Sequence, residues 1–178
     1  FWREHMHNTS LIACLLGEFT GLSNKDIRTL KTAAEFHDIG KFLIKDQYIL
    51  EKRGKLTKSE FKIIKCHAHL GADYLLRAGF DEKVVEAVLY HHEKWDGSGY
   101  PDGLVKEDIP LFSRILTIAD TFDALTSKRP YRNAVGPFQA LKEIHKCAGS
   151  QFDPNLVKIF LKCWTIPEKQ KEVMTHEL

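Results

Sequence analysis

The stretch His91-His92-Glu93-Lys94-Trp95-Asp96-Gly97-Ser98-Gly99-Tyr100-Pro101 ends a helical apolar pattern and passes at once into a glycine-studded turn. Two adjacent imidazoles are poor core material, because each ring brings two nitrogens that need partners. They are good metal material, because neutral imidazole suits several transition metals. A metal site around this pair needs further ligands from elsewhere in the chain.

Working outward, the periodicity is helical on both sides. Asp81 caps the helix that leads in, with Val84, Val85, Val88 and Leu89 running up to His91 and His92. Upstream, Thr57-Lys58-Ser59-Glu60 has the form of a capping box and opens a helix through Ile63, Ile64 and His67 to Leu76. Before it, Ser23 or Asn24 caps a helix carrying Asp26, Ile27, Leu30, Ala33, Ala34 and His37, which Gly40 interrupts; a loop then runs to Gly54. The first helix carries Leu11, Leu15, Leu16 and Phe19 and stops at Gly21. Downstream, Pro110 suits the first turn of a helix through Ile115, Ile118, Phe122 and Leu125. Pro137 starts another toward His145, and Asp153-Pro154 starts one with Val157, Phe160 and Leu161. No strand pair or internal repeat stands out. The fold class expected is all-α, a bundle of about seven or eight helices. Residues 1–165 are expected to form the helical domain and 166–178 a charged, weakly packed helix or tail. The chain starts in mid-pattern at Phe1-Trp2, so a domain cut from a longer protein is expected.

The candidate ligands are spread over these helices. His37-Asp38 closes the second, His67 lies on the capping-box helix, and His91 and His92 follow. Asp120 sits inside the apolar run Ile115-Leu116-Thr117-Ile118-Ala119, where a carboxylate is costly unless paired or metal-bound. His5 on the first helix is a further candidate. Five histidines and two aspartates exceed the needs of one ion and fit two octahedral transition ions with a shared carboxylate or hydroxide. Other polar and aromatic residues read as structural. His7, His69, His145 and His176 are satisfied surface or core residues, and Asp123 makes a structural hydrogen bond. Glu93 orients a ligand histidine. Phe36, Phe61 and Phe122 are core, and Cys66 is a buried, inert thiol.

Composition narrows the class. Of 178 residues, 43% are hydrophobic and 28% charged, as in ordinary globular domains. A net charge of +2 gives no bulk basic surface for duplex nucleic acid. Cys14, Cys66, Cys147 and Cys163 are widely spaced, which indicates neither a zinc knuckle nor a disulfide framework. With no signal peptide and no membrane-spanning run, a cytoplasmic protein is expected.

His37-Asp38-Ile39-Gly40-Lys41, the stretch from His91 to Pro101, Ile109-Pro110, Arg114-Ile115, Asp120, Ala124-Leu125-Thr126, Arg129-Pro130-Tyr131-Arg132 and Gly149 to Pro154 together resemble the HD-GYP family. The resemblance runs from about His5 to Val157. It implies an α-helical HD fold and a phosphodiesterase for cyclic di-GMP or the mixed cyclic GMP-AMP, using iron or manganese. It implies metal ligation by His5, His37, Asp38, His67, His91, His92 and Asp120, with Asp38 bridging. Lys41 would neutralise the scissile phosphate, Arg129 and Arg132 would grip the dinucleotide's phosphates, and Tyr100 would face the substrate. Implied partners are a regulatory domain N-terminal to this segment and a diguanylate cyclase-type protein at the Gly-Tyr-Pro loop. Members with three metals carry a glutamate four residues before the first ligand histidine, where this chain has Phe1. Glu4 lies about 100° round the helix from that face. A two-metal site is therefore expected. A catalytically weak sensor or interaction module, and a general HD phosphohydrolase, are the alternatives.

Overall fold

The computed structural model describes residues 2–52, 54–128 and 134–165. Their helices are α1 (Trp2–Phe19), α2 (Asn24–Phe36), the single turn α3 (Tyr48–Glu51), α4 (Lys58–Lys65), α5 (His67–Arg77), α6 (Glu82–Tyr90), α7 (Leu111–Thr126), α8 (Pro137–Lys146) and α9 (Pro154–Thr165). Eight of these have eight or more residues, as the sequence predicts for an all-α bundle. Among the described residues β-pairing is limited to the isolated bridges Asp96–Val105 and Ala148–Phe152. No helix among them is long and apolar enough to cross a membrane.

Local chemistry sets most helix starts. The Ser23 hydroxyl accepts from the Asp26 amide, and the Asp81 carboxylate accepts from the Lys83 amide. Thr57 and Glu60 complete the capping box of α4 reciprocally. Pro137 occupies the first turn of α8, whereas Pro110 sits one residue outside α7 as its N-cap.

The expected helix from Thr57 to Leu76 is instead two, broken at Cys66. There the Cys66 amide tightens onto the Ile63 and Ile64 carbonyls, and His67 Nδ1 takes the Ile64 carbonyl at 2.7 Å. A side-chain donor thus competes for a carbonyl that a continuous helix would use, and α5 leaves in a new direction.

The helix α7 is the centre of the bundle. It packs against α1, α6, α8 and α9, and buries Phe112, Ile115, Leu116, Ile118, Ala119 and Phe122. A helix apolar nearly all round belongs in the interior. Leu16 of α1, Leu30 of α2, Leu75 of α5, Val88 of α6, Ile144 of α8 and Phe160 of α9 join the same core. The 3₁₀ turn Ile39–Leu43 crosses α5 so closely that a Cβ on Gly40 would lie 1.9 Å from the His67 carbonyl oxygen. Only glycine fits there, and the contact brings His37-Asp38 up to His67.

Candidate metal centre

Three of the expected ligands sit where a helix ends or breaks. His37 is the C-cap of α2, His91 is the C-cap of α6, and His67 follows the C-cap of α4. Each ring uses Nδ1 on the carbonyl three residues back: His37 on Ala34 at 2.7 Å, His67 on Ile64 at 2.7 Å and His91 on Val88 at 2.6 Å. Carbonyls in the last turn of a helix lack their regular intrahelical partner, so the imidazole caps its own helix. A carbonyl only accepts, which makes Nδ1–H the donor and leaves the Nε2 lone pair for a metal.

The Nε2 atoms converge on Asp38. Its Oδ1 lies 3.5 Å from His67 Nε2 and 4.0 Å from His91 Nε2, while its Oδ2 lies 3.6 Å from His37 Nε2. The two rings His67 and His91 bring their Nε2 atoms within 3.3 Å of each other. Two groups of donor atoms result, each within 4.8 Å: Asp38, His67, His91 and His92 in one, and His5, His37 and Asp120 in the other. Asp120 Oδ1 is 3.2 Å from His5 Nε2 and 4.0 Å from His37 Nε2, which joins α7 to α1 and α2. Five elements distant in sequence thus meet at one point. Buried His37 Nε2 and Asp38 Oδ1 have no hydrogen-bond partner among the described residues. Buried polar atoms normally are satisfied, so two orphans inside a ring of imidazoles and carboxylates fit divalent metal ions.

The electrostatics agree with that fit. Burial alone would push the Asp38 carboxyl up, but Lys41 and the imidazoles of His37, His91 and His67 hold it well below the usual carboxylate range. Burial and the neighbouring imidazoles of His92, His37 and His67 push His91 far down, and burial with the nearby His67 does the same to His92. Burial also lowers His67 against the pull of Asp38. Neutral imidazole is the form that ligates. His5 goes the other way, to about 9, because hydrogen bonds to Asp120 and Asp123 outweigh its burial. A cation between His5 and Asp120 is favoured, whether proton or metal.

Around the centre, Lys41 Nζ reaches Asp38 Oδ2 at 2.5 Å. The Tyr100 ring stacks on His92, with centroids 4.8 Å apart and 29° between planes. The loop that presents Tyr100 is pinned at several points. The Trp95 and Asp96 amides donate to the Gln151 and Ser150 carbonyls at 3.2 and 2.9 Å. The Arg114 guanidinium pairs with Asp153 at 2.7 Å and donates to the Ile109 carbonyl at 2.9 Å. A Cβ on Gly99 would lie 2.3 Å from the Lys94 amide nitrogen, so the turn folds back onto its own start.

Several expectations are corrected. The Glu93 carboxylate makes no hydrogen bond to a candidate ligand histidine among the described residues. Its Oε1 accepts from the Asp102 and Gly103 amides at 2.7 and 2.9 Å, so it shapes the loop while backbone carbonyls orient the rings. Asp123 is the carboxylate that holds a candidate ligand: its Oδ2 is 2.6 Å from His5 Nδ1. Its Oδ1 accepts from Asn8 at 3.0 Å and Ser127 at 2.8 Å. The signal for this role was its position three residues after Asp120, on the same face of α7. Phe61 is 46% exposed and Cys66 is exposed, because α4 buries none of its residues. Phe36 and Phe122 do belong to the core, and His7, His69 and His145 lie at the surface. Arg129, Arg132, His176 and the segment 166–178 lie outside the described residues.

The comparisons with known proteins match this arrangement. The HD domain family profile covers residues 3–156, and the chain belongs to that family. Within it, the HD-GYP resemblance of the motifs holds. The chain is 42% identical over 161 residues to the cyclic di-GMP phosphodiesterase response regulator RpfG of Xanthomonas campestris, covering 88% of this chain and 42% of that protein. It is 39% identical over 161 residues to a cyclic di-GMP phosphodiesterase of Thermotoga maritima, covering 89% and 44%. A 3'3'-cGAMP-specific phosphodiesterase 2 of Vibrio cholerae is 38% identical over 162 residues, covering 90% and 31%. The chain therefore spans less than half the length of these relatives. The fold is shared with the V. cholerae cyclic GMP-AMP phosphodiesterase V-cGAP3, at TM-score 0.72 and 23% identity over 93% of this chain and 44% of that one. Bd1817 of Bdellovibrio bacteriovorus aligns at TM-score 0.72 and 18% identity, over 93% and 53%.

Proposed function

We propose that this chain is a metal-dependent phosphodiesterase that opens a cyclic dinucleotide, cyclic di-GMP first and 3'3'-cyclic GMP-AMP second, to a linear dinucleotide. The observation that carries this reading is the gathering of six donor side chains around Asp38, with Lys41 beside it. The relatives named for cyclic di-GMP and cGAMP hydrolysis support the substrate class.

Two divalent ions, iron or manganese, are the cofactors proposed. His67, His91 and His92 would hold one, and His5, His37 and Asp120 the other. Asp38 would serve both, since its two oxygens face opposite groups. Such ions supply water acidified to a nucleophile at neutral pH and polarisation of the phosphoryl oxygens. The chain's own residues do the rest. Lys41, a compact positive charge at the rim of the centre, would offset the charge that builds on the phosphate as the P–O bond breaks. Arg129 and Arg132 are proposed to clamp the phosphates with forked contacts. Tyr100, stacked on His92, would border the substrate. The activity is proposed to run in the cytoplasm under control of a regulatory segment outside this chain.

The test is incubation of protein loaded with iron or manganese with cyclic di-GMP, the mixed dinucleotide and ordinary nucleotides. Ring opening confined to the cyclic dinucleotides is the result expected. Turnover of ordinary nucleotides in preference would assign a general phosphohydrolase, and binding without turnover a sensor.

A further inference from the structure

Helix α4 is amphipathic by pattern yet buries none of its residues. Its exposed Phe61 contributes nothing to the core. Phe61 instead meets Tyr100 edge-on, with ring centroids 6.5 Å apart. One turn later on the same face of α4, Lys65 places its ammonium 5.0 Å from the Phe61 centroid and 4.7 Å from the Tyr100 centroid. Tyr100 in turn lies on His92, a donor of the metal centre. An unbroken row therefore runs outward from the centre: imidazole, phenol, ammonium, exposed phenyl ring.

We propose that Phe61, Lys65 and Tyr100 form a purine shelf. In it one base of the cyclic dinucleotide stacks on Phe61, and Lys65 donates to the O6/N7 edge of guanine. The proposal rests on the phosphodiesterase reading and adds the base-recognising residues to it. The physical reasons are three. A half-exposed phenyl ring next to a phosphate-processing centre offers a base the stacking surface that water does not. Lysine is a donor suited to the two acceptors O6 and N7 of guanine, whereas adenine presents an amino donor in place of O6. The ammonium already lies over the ring, so a base stacked on the exposed part of Phe61 comes within its reach.

Phe61 is exposed and Lys65 half-buried, and neither belongs to the core, so substitutions at these two leave the core untouched. Steady-state kinetics are measured on the manganese-loaded chain with cyclic di-GMP, cyclic GMP-AMP and cyclic di-AMP. Phe61→Ala is expected to raise KM for cyclic di-GMP about tenfold with little change in kcat, and Phe61→Trp to reverse that loss. Lys65→Met is expected to lower kcat/KM roughly tenfold on guanine-bearing substrates and to leave cyclic di-AMP unaffected, erasing the preference for guanine. Unchanged KM in Phe61→Ala, or an equal loss on all three substrates in Lys65→Met, overturns the shelf while leaving the hydrolase reading intact. If the wild-type chain turns over none of them, calorimetric titration with cyclic di-GMP decides. Binding that Phe61→Ala weakens upholds the shelf against the hydrolase reading, and no binding overturns both.

Discussion

Nδ1 of His5 on α1 lies 2.6 Å from Oδ2 of Asp123 on α7, across 118 residues of chain. That bond turns Nε2 of His5 toward Asp120 on the same helix as its partner, so one face of α7 supplies both a candidate ligand and the group that aims another. Carboxylates that hold a ligand imidazole typically matter about 10–100-fold in metal affinity. Asp123→Asn is therefore expected to weaken one of two bound ions by roughly that factor and to spare the other. Competition titrations with a metal indicator read this directly, and two unaltered affinities would refute the assigned role.

Asp38 joins the two donor groups, so its loss should be felt in both. Asp38→Ala is expected to abolish metal loading and hydrolysis together, and His37→Ala to do the same. Removing metal with a chelator should also lower thermal stability, since a ligand present at 100 times its Kd adds about 2.7 kcal/mol by mass action. Elemental analysis and melting curves with and without chelator check both outcomes. Full turnover by a metal-depleted Asp38→Ala protein would end the mechanism.

Gly40→Ala tests the close crossing that brings Asp38 to His67. The added methyl would meet backbone rather than a flexible side chain, at 1.9 Å from the His67 carbonyl oxygen. Overpacking of this kind costs about 1–3 kcal/mol, or roughly 2–12 °C in Tm for a chain of this size. Metal affinity should fall with it, because the shift separates donors on the two elements. A variant with wild-type Tm and wild-type metal content would show that the crossing has slack.

The acid limb of α4 has a definite sign. Hydrogen bonds from Lys52 and the Thr57 amide hold the half-buried Glu60 carboxyl at about 2, against an ordinary value of 4.5. A carboxyl depressed in the folded state stabilises above its unfolded value, and that contribution fades as pH falls from about 4.5 through about 2. Carboxyl shifts in NMR titrations should place Glu60 near the lower figure, with Thr57 amide protection lost over the same window. Glu60→Gln should remove the pH dependence of that protection.

The cysteines should differ sharply in reactivity. Cys66 is exposed at the α4–α5 break, while Cys14 and Cys163 are buried and burial pushes the Cys14 thiol up to about 11. A disulfide reagent should modify Cys66 first and reach Cys14 only on unfolding. Peptide mass mapping after brief labelling distinguishes this from equal labelling.

Helix ends were the most legible part of this protein. The caps at Ser23, Thr57, Asp81 and Pro137 act within three residues, so their chemistry is contained in short stretches of sequence. The candidate donors were legible for a related reason: paired imidazoles and an aspartate inside an apolar run have few other uses. What was misread depended on direction rather than identity. Glu93 follows a histidine pair, but the turn carries it toward Asp102 and Gly103. Phe61 has the spacing of a core residue on a helix that reaches no core. The break at Cys66 arises because the His67 ring takes a carbonyl that a continuous helix would keep.

By itself the sequence determined an all-α chain, its principal helix starts and the inventory of donors, because capping, periodicity and side-chain chemistry operate locally. Only the tertiary structure decided that Asp38 stands between two donor groups, that Asp123 and not Glu93 holds the candidate ligand His5, and that Phe61 and Lys65 lie against Tyr100. Those relations depend on how α1, α2, α5, α6 and α7 cross. The crossings are set by close packing at points such as Gly40 on α5, where non-local contact outweighs anything encoded within a single turn.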